Sequence, residues 1–190
     1  MKKLPIKKLP LLGPTTFYRE ALALAVPVML QSLITGLVSL VDNFMVAGLG
    51  DARMAGVNVA NQINFVFLIV VNVACIAGGI FLSQFRGAGD KKGMAQAFRF
   101  KIVAAGLIAA VYFLLCQLFP KQLLSLMVAG NREGAEIVEQ GVLYLRAVSW
   151  SFVPLAISAA FGSSFRDIGV PKIPLIVSTT AALVNTFGNY

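Results

Sequence analysis

An uninterrupted apolar run near the start of the chain constrains the fold more than any other feature. It contains 21 residues without a charged side chain, between Glu20 and Asp42. At 1.5 Å per residue such a helix is about 30 Å long, which matches the hydrocarbon core of a bilayer. Soluble core helices rarely need so long a run. The segment therefore predicts a membrane-spanning helix, and Asp42 lies either at its end or within it.

Composition extends this conclusion to the whole chain. Hydrophobic residues make up 58% and charged residues 13%, whereas soluble domains carry about 25% charged residues. The net charge of +8 comes from basic residues in short segments between apolar runs, so topology explains it better than a nucleic-acid partner. The sequence has no histidine, and Cys75 and Cys116 lie in apolar runs. These features exclude histidine-based sites and do not indicate a disulfide framework.

The predicted fold class is an all-α integral membrane protein with about five transmembrane helices. A basic tail over residues 1–16 is interpreted as cytoplasmic. The predicted helices cover residues 17–46, 54–85, 97–119, 136–165 and 172–190, all approximate. Apolar side chains between Pro120 and Glu139 also suit a short interfacial helix.

Lysine and arginine counts in the short connections predict a cytoplasmic N-terminus. With this orientation 12 basic residues lie inside: Lys2, Lys3, Lys7, Lys8, Arg19, Arg86, Lys91, Lys92, Arg99, Lys101, Arg166 and Lys172. Only 3 lie outside, namely Arg53, Lys121 and Arg132, and Arg146 within the fourth helix is not counted.

Polar side chains form stripes on three predicted helices, where polar groups are costly in hydrocarbon. Gln31, Thr35 and Asp42 share a face of the first helix, because eleven residues make about three turns. Pro27, one turn before Gln31, predicts a kink or hinge. The other two stripes are Asn58, Asn61, Gln62 and Asn72 on the second helix and Ser178, Asn185 and Asn189 on the fifth.

These stripes have two explanations. The second-helix stripe alone favours hydrogen bonds that join helices, at about 0.6 kcal/mol per bond. Three stripes in one small bundle favour a shared, water-accessible interior. The predicted substrate cavity is therefore lined by Gln31, Thr35, Asn58, Asn61 and Gln62.

Glycines near the end of the second apolar run predict tight packing and a turn. Gly78 and Gly79 permit close approach between helices. The segment from Arg86 to Asp90 has the glycine spacing of a phosphate loop, but no strand precedes it and no Gly-Lys-Ser/Thr follows. A plain turn is therefore predicted.

Four segments, spread over nearly the whole chain, together resemble the multidrug and toxic compound extrusion (MATE) family. They match its first helix, the signature after its second helix, its helix 4–5 connection and the polar end of its fifth helix. The segments are Pro27 with Val41–Gly48, Gln84–Asp90, Phe165–Gly169 with Pro174, and Asn185–Tyr190.

The resemblance implies a cation-coupled antiporter of the cell (inner or plasma) membrane that exports amphipathic or cationic drugs by alternating access. The family has two six-helix lobes with a cavity between them. Residues 17–190 would be part of the N-terminal lobe, embedded in the lipid bilayer. The implied partners are a small-molecule substrate and either the missing C-terminal lobe or a second copy. One lobe has no partner to rock against, so we expect the 190 residues alone not to transport.

Asp42 is the candidate coupling residue, although it could also merely close the first helix at the outer interface. The resemblance places it opposite Asn185 and Asn189. Partial dehydration disfavours a charged carboxylate, which can then take up a proton. Alternatively it can hold Na⁺ with the two asparagine carbonyl oxygens. Some archaeal members of the family carry a second acid on the fifth helix, whereas this chain has Asn189, so Asp42 would titrate alone.

Three other functions are compared with drug export. The alternative is a lipid-linked sugar flippase of the same superfamily, which should line its cavity with more cationic residues. A non-transporting membrane fragment is a third possibility. An enzyme is not expected, because the sequence offers one intramembrane acid, Asp42, with no histidine and no paired carboxylate. No cofactor is predicted apart from H⁺ or Na⁺ as coupling ion, and no metal site apart from Na⁺ at Asp42.

Overall fold

The computed structural model describes residues 15–46, 51–128 and 134–188, without the side chains of 42, 43, 45, 46, 51–53, 186 and 187. The described residues form helices and connections and contain no strand. Seven helices follow one another: α1 Thr15–Val46, α2 Asp51–Gly87, α3 Lys91–Leu118, α4 Pro120–Met127, α5 Gly134–Ser149, α6 Phe152–Asp167 and α7 Lys172–Gly188.

The helices confirm the predicted class of all-α membrane protein. Three are long and apolar enough to cross a bilayer, over Thr15–Val41, Met54–Gly87 and Lys91–Leu118. The pair α5 and α6 provides a fourth span if it is counted as one bent helix. The apolar part of α7, Lys172–Asn185, is shorter. Three or four long spans are thus found among the described residues, against about five predicted.

The predicted single helix over residues 136–165 is two helices, which meet at an angle of 51°. Pro154 lies in the first turn of α6 and has no N–H to donate to the carbonyl of Trp150, so an unbroken helix would lose a hydrogen bond there. The backbone instead forms a tighter turn, in which hydrogen bonds span three residues rather than four: Trp150 N donates to Ala147 O at 3.4 Å and Ser151 N to Val148 O at 2.9 Å.

The side chain of Gln117 from α3 compensates for this break. The carbonyl of Arg146 has lost its donor from Trp150, and Gln117 Nε2 donates to it at 3.1 Å. The same nitrogen reaches Ser149 Oγ at 2.9 Å, and Ser149 is buried. The bend is therefore fixed by a neighbouring helix as well as by its own proline.

Two glycine turns end α2 and α6 in the same way. Gly89 and Gly169 have positive φ angles, 69° and 71°, which glycine adopts without a steric penalty. At each turn the glycine N–H and the next N–H fold back onto carbonyls of the last helical turn, as in a Schellman motif. The four bonds are Gly89 N to Arg86 O, Asp90 N to Phe85 O, Gly169 N to Arg166 O and Val170 N to Phe165 O.

The first of these turns confirms the plain turn that was predicted, and it also explains where α3 begins. Asp90 Oδ1 accepts hydrogen bonds from the N–H groups of Lys92 and Gly93, both at 3.0 Å. This N-cap satisfies two free donors, so α3 starts at Lys91, six residues before the predicted start.

Helix α2 forms the centre of a bundle with α3, α5 and α6. Phe67 of α2 is fully buried and stacks on Phe152, with ring centroids 4.3 Å apart. The α2–α6 contacts advance together along both helices, from Phe67 with Phe152 to Gly79 with Asp167. Helix α2 and the α5–α6 pair therefore run in the same direction.

Helix α1 stands apart from that bundle and packs mainly against α7. None of its most apolar 18-residue window is buried. Helix α7 contacts α6, so the α1–α7 pair leans on the bundle along one side. We call this boundary the seam. Helix α1 continues without a break through Pro27, so the predicted hinge lies inside a continuous helix.

Candidate functional site

A cavity of about 410 Å³ opens at the seam, between α1, α2, α6 and α7. Its walls combine polar and apolar side chains. The polar ones are Gln31, Thr35, Asn72, Ser158, Arg166 and Ser178, and the apolar ones include Leu68, Phe161, Phe165 and Ile173. We call it the seam cavity. A volume of this size is within the range of small-molecule sites.

Gln31 connects three helices at the edge of this cavity. Its Oε1 accepts a hydrogen bond from Arg166 Nη1 at 3.1 Å, and its Nε2 donates to Ser178 Oγ at 2.8 Å. A guanidinium group can only donate, so Arg166 fixes which end of the Gln31 amide faces it. The hydroxyl of Thr35 turns back to the Gln31 carbonyl at 2.9 Å.

The structure separates the polar stripe of α2 into two parts. Asn72 faces the seam cavity, whereas Asn58, Asn61 and Gln62 lie ten to fourteen residues earlier, about 15 to 21 Å along the helix. Asn61 Oδ1 accepts a hydrogen bond from Tyr144 of α5 at 3.2 Å, and Asn58 and Gln62 are exposed. Three of the five residues predicted for the cavity are therefore not brought to the seam cavity.

Asn64, on the same helix, was not among the predicted site residues. Its side-chain Oδ1 is buried and has no hydrogen-bond donor among the described residues. Within the first part of the stripe, the Asn61–Tyr144 bond joins α2 to α5, and this is the helix-joining role that the stripe alone suggested.

The predicted coupling residues lie further along α1 and α7. Asp42 belongs to the last turns of α1, but its side chain lies outside the described residues, as does the whole of Asn189. Asn185 of α7 is exposed and contributes to a mostly apolar groove on that helix, which adjoins the seam cavity at Val177. Their role as cation ligands stays a prediction.

A buried ion pair, which the sequence did not predict, joins α3 to α6. Lys101 Nζ lies 2.6 Å from Asp167 Oδ2, with side-chain exposures of 0% and 24%. The glycine pair of α2 makes room for it. A Cβ at Gly79 would lie 2.6 Å from Asp167 Oδ2, and one at Gly78 would overlap the Lys101 side chain. Gly78 and Gly79 were expected to allow close packing, and the charged pair is what they accommodate.

The described residues do not hold a ready-made metal centre: they contain no cluster of three or more His, Cys, Asp or Glu side chains. The seam cavity presents amide and hydroxyl oxygens but no carboxylate among its described lining.

The family model described as MatE matches residues 27–190. The chain belongs to the MatE family. It is 24% identical over 172 residues to the "Probable multidrug resistance protein NorM" of Thermotoga maritima. The matched region covers 90% of this chain and 36% of that relative. It is 23% identical over 172 residues to the "Multidrug resistance protein PmpM" of Pseudomonas aeruginosa, over 90% of this chain and 35% of the relative.

A third relative, from Xanthomonas axonopodis pv. citri, is also named "Probable multidrug resistance protein NorM" and is 27% identical over 127 residues. This MatE chain thus spans about a third of the length of the first two curated relatives. The family membership predicted from four short segments is confirmed, and so is a multi-pass membrane protein related to multidrug resistance transporters.

The structure also gives two of the MatE-like segments a physical role. Gln84–Asp90 and Phe165–Gly169 contain the paired glycine turns that end α2 and α6. The two turns are in contact. The Arg86 guanidinium lies against Gly169, so close that a Cβ added to this glycine would be 2.5 Å from Arg86 Nη1. Arg166, within the second segment, is the cation of the seam cavity. The signal for that role in the sequence was weak: an arginine one turn after Gly162 on a polar helix face.

Proposed function

We propose that this MatE chain is part of a cation-coupled antiporter that exports amphipathic or cationic drugs and toxins, with Asp42 as the coupling residue. Family membership and the multidrug resistance names of the relatives support the export of drugs. The hydrogen bond between Gln31 and Ser178 carries the assignment to Asp42, because it sets the register of α1 against α7.

The two helices run in the same direction. Helix α7 reverses after the turn at Gly169, and α1 is joined to α2 by only four residues, a length typical of antiparallel neighbours. Asp42 follows Gln31 by 11 residues, and Asn185 follows Ser178 by 7. At 1.5 Å per residue the two levels differ by about 6 Å, or roughly one turn. Asn189, spaced one turn beyond Asn185, would complete the ligand set.

A carboxylate at this level can serve cation exchange in two ways. It can bind a proton when its charged form is poorly solvated, or it can hold Na⁺ with the amide oxygens of Asn185 and Asn189. Occupation by the cation and occupation by a drug would then favour different arrangements of α1 and α7, which is the differential binding that alternating access requires.

A lipid-linked sugar flippase is the less favoured alternative. A diphosphate head group calls for several cationic side chains, and the described lining of the seam cavity supplies one, Arg166. An antiporter of drugs does not need such a cluster.

Replacing Asp42 tests the proposal. In proteoliposomes that hold the transporter containing this chain, Asp42→Asn should reduce ion-gradient-driven drug efflux to background while leaving membrane insertion intact. Asn189→Ala should weaken efflux less. The control is Glu139→Gln, the same change of charge at an exposed position of α5, which should keep full efflux. Wild-type efflux by Asp42→Asn under the same gradient would mean that Asp42 only ends the helix.

A further inference from the structure

The guanidinium of Arg166 is the most unusual group in the seam cavity. The residue is half-buried and lines the cavity. Its side chain donates one hydrogen bond among the described residues, from Nη1 to Gln31 Oε1 at 3.1 Å. A guanidinium has five N–H donors, so the bonds among the described residues use only a small part of its donor capacity.

The neighbouring acid does not neutralise Arg166. Asp167 is next to it in the sequence, but its Oδ2 is 2.6 Å from Lys101 Nζ on the other side of α6. The described residues that line the seam cavity include no carboxylate. The cavity therefore presents a positive charge whose partner is not supplied by the described part of the chain.

The remaining walls decide what kind of molecule fits beside that charge. Leu68, Phe161, Phe165 and Ile173 are apolar, and Asn72 and Ser158 add neutral polar groups. A volume of about 410 Å³ suits a small drug-like body. An amphiphile with one anionic group and an apolar body matches both parts of this surface, and a planar guanidinium binds carboxylate and phosphate oxygens through two parallel hydrogen bonds.

We propose that the seam cavity is a binding site for amphiphiles that carry a single anionic oxygen group, such as a carboxylate, with Arg166 as the anion-binding residue and Gln31 as the residue that orients it. Anionic and zwitterionic molecules would then bind better here than purely cationic ones. The inference rests on the proposed exporter and assigns the seam cavity to those amphipathic substrates that carry an anionic group, so purely cationic drugs would bind at another part of the transporter. Its test measures binding and does not depend on transport by the chain.

A set of three matched probes measures the charge preference. Dansylglycine, its neutral amide and the cationic dansyl ethylenediamine share one fluorophore and differ in charge. Each is titrated into the full chain in phosphatidylcholine nanodiscs, with empty nanodiscs subtracted. The carboxylate should bind about tenfold tighter than the amide, as a charge-assisted hydrogen bond requires, and the cation should bind more weakly than the amide. Equal affinities for the three probes would overturn the proposal.

Variants assign the preference to Arg166. Arg166→Gln should remove the tenfold preference for the carboxylate, and Arg166→Lys should keep part of it. Gln31→Glu is nearly isosteric and puts a carboxylate against the guanidinium, so it should abolish binding of dansylglycine even if Arg166→Gln fails to fold. Arg99→Gln is the control, since Arg99 is exposed on α3 and does not line the cavity. If Arg99→Gln lowers the preference as much as Arg166→Gln, surface potential explains it and the site is refuted.

The anionic group could belong to a soluble molecule or to a lipid head group, and competition separates these sources. Displacement of bound dansylglycine by dioctanoyl phosphatidylglycerol, but not by dioctanoyl phosphatidylcholine, would identify an anionic lipid as the ligand. No displacement by either lipid would identify a soluble amphiphile. A failed Asp42→Asn efflux test would leave these binding results unchanged, so the two proposals can be judged separately.

Discussion

Lys101 shows how one charged residue can be kept inside an apolar helix bundle. Its side chain is fully buried, and its ammonium group is held at 2.6 Å by Asp167. Removing two charges from water costs several kcal/mol each, and their attraction compensates only when the geometry is close. Gly78 and Gly79 provide that geometry, because any side chain at these positions would occupy the space of the pair.

Removing one partner of this pair should be far more harmful than removing both. Lys101→Met leaves Asp167 without its counter-charge, and we expect a loss of about 3 kcal/mol in the free energy of unfolding. The measurement is denaturant unfolding in detergent micelles. The double variant Lys101→Met with Asp167→Leu should recover most of the loss.

The control for this experiment is Lys92→Met, at an exposed position near the start of the same helix, which should change stability little. A Lys101→Met chain as stable as the control would show that the buried pair contributes nothing to folding.

At the scale of the element, the α5–α6 bend depends on a side chain from a third helix. Pro154 explains why the helix cannot run straight. The carbonyl of Arg146, freed by the break, is held by Gln117 at 3.1 Å and by Ser149 Oγ at 2.8 Å. In a membrane-spanning segment such a carbonyl cannot rely on water for a substitute donor.

Gln117→Leu should therefore destabilise the bend. It removes one of the two donors to the Arg146 carbonyl and the donor to the buried Ser149, and we expect a loss of about 1 kcal/mol in the free energy of unfolding. Gln96→Leu makes the same chemical change at an exposed site of α3 and serves as the control. Equal stability of the two variants would mean that the proline alone fixes the bend.

For the molecule as a whole, the described residues form a four-helix bundle, with the short α4 against it and the α1–α7 pair along one side. Helices α2, α3, α5 and α6 share the buried core, whereas α1 and α7 contact each other and reach the bundle along the seam. Across that seam Arg166 of α6 donates a hydrogen bond to Gln31 of α1, and Gln31 donates in turn to Ser178 of α7 within the pair. The seam is thus the boundary at which polar groups and a cavity coincide.

Thiol labelling tests the predicted orientation of this assembly in the membrane. Lys121→Cys, at the start of α4, should react with an impermeant reagent added outside, and Lys92→Cys, at the start of α3, should not. Both positions are exposed. The neighbouring Gly93 is not suitable for a cysteine, because it is buried against Phe85. The native Cys75 and Cys116 are 1% and 0% exposed, so they should give little background. The reverse pattern would place the N-terminus outside.

The features that depend on local chemistry could be predicted from the amino-acid sequence. Long uncharged runs predicted the membrane helices, because hydrocarbon excludes charge over a known thickness. The glycines near Arg86 predicted a turn, which the positive φ of Gly89 bears out. Four short segments predicted the family that the match over residues 27–190 shows. Helix ends were less accurate, since the Asp90 cap and the effect of Pro154 depend on how neighbouring turns close.

The contacts between polar residues of different helices could be seen only in the folded arrangement. Gln31 contacts Arg166 and Ser178 across 135 and 147 residues of chain, and Lys101 meets Asp167 across 66. Within one helix, periodicity groups residues by face, as it did for Gln31 and Thr35. It cannot state which neighbour that face will touch, because helix rotation and register are set by the packing of the entire bundle. For that reason Asn58, Asn61 and Gln62 were assigned to a cavity that Asn72 and Arg166 line instead.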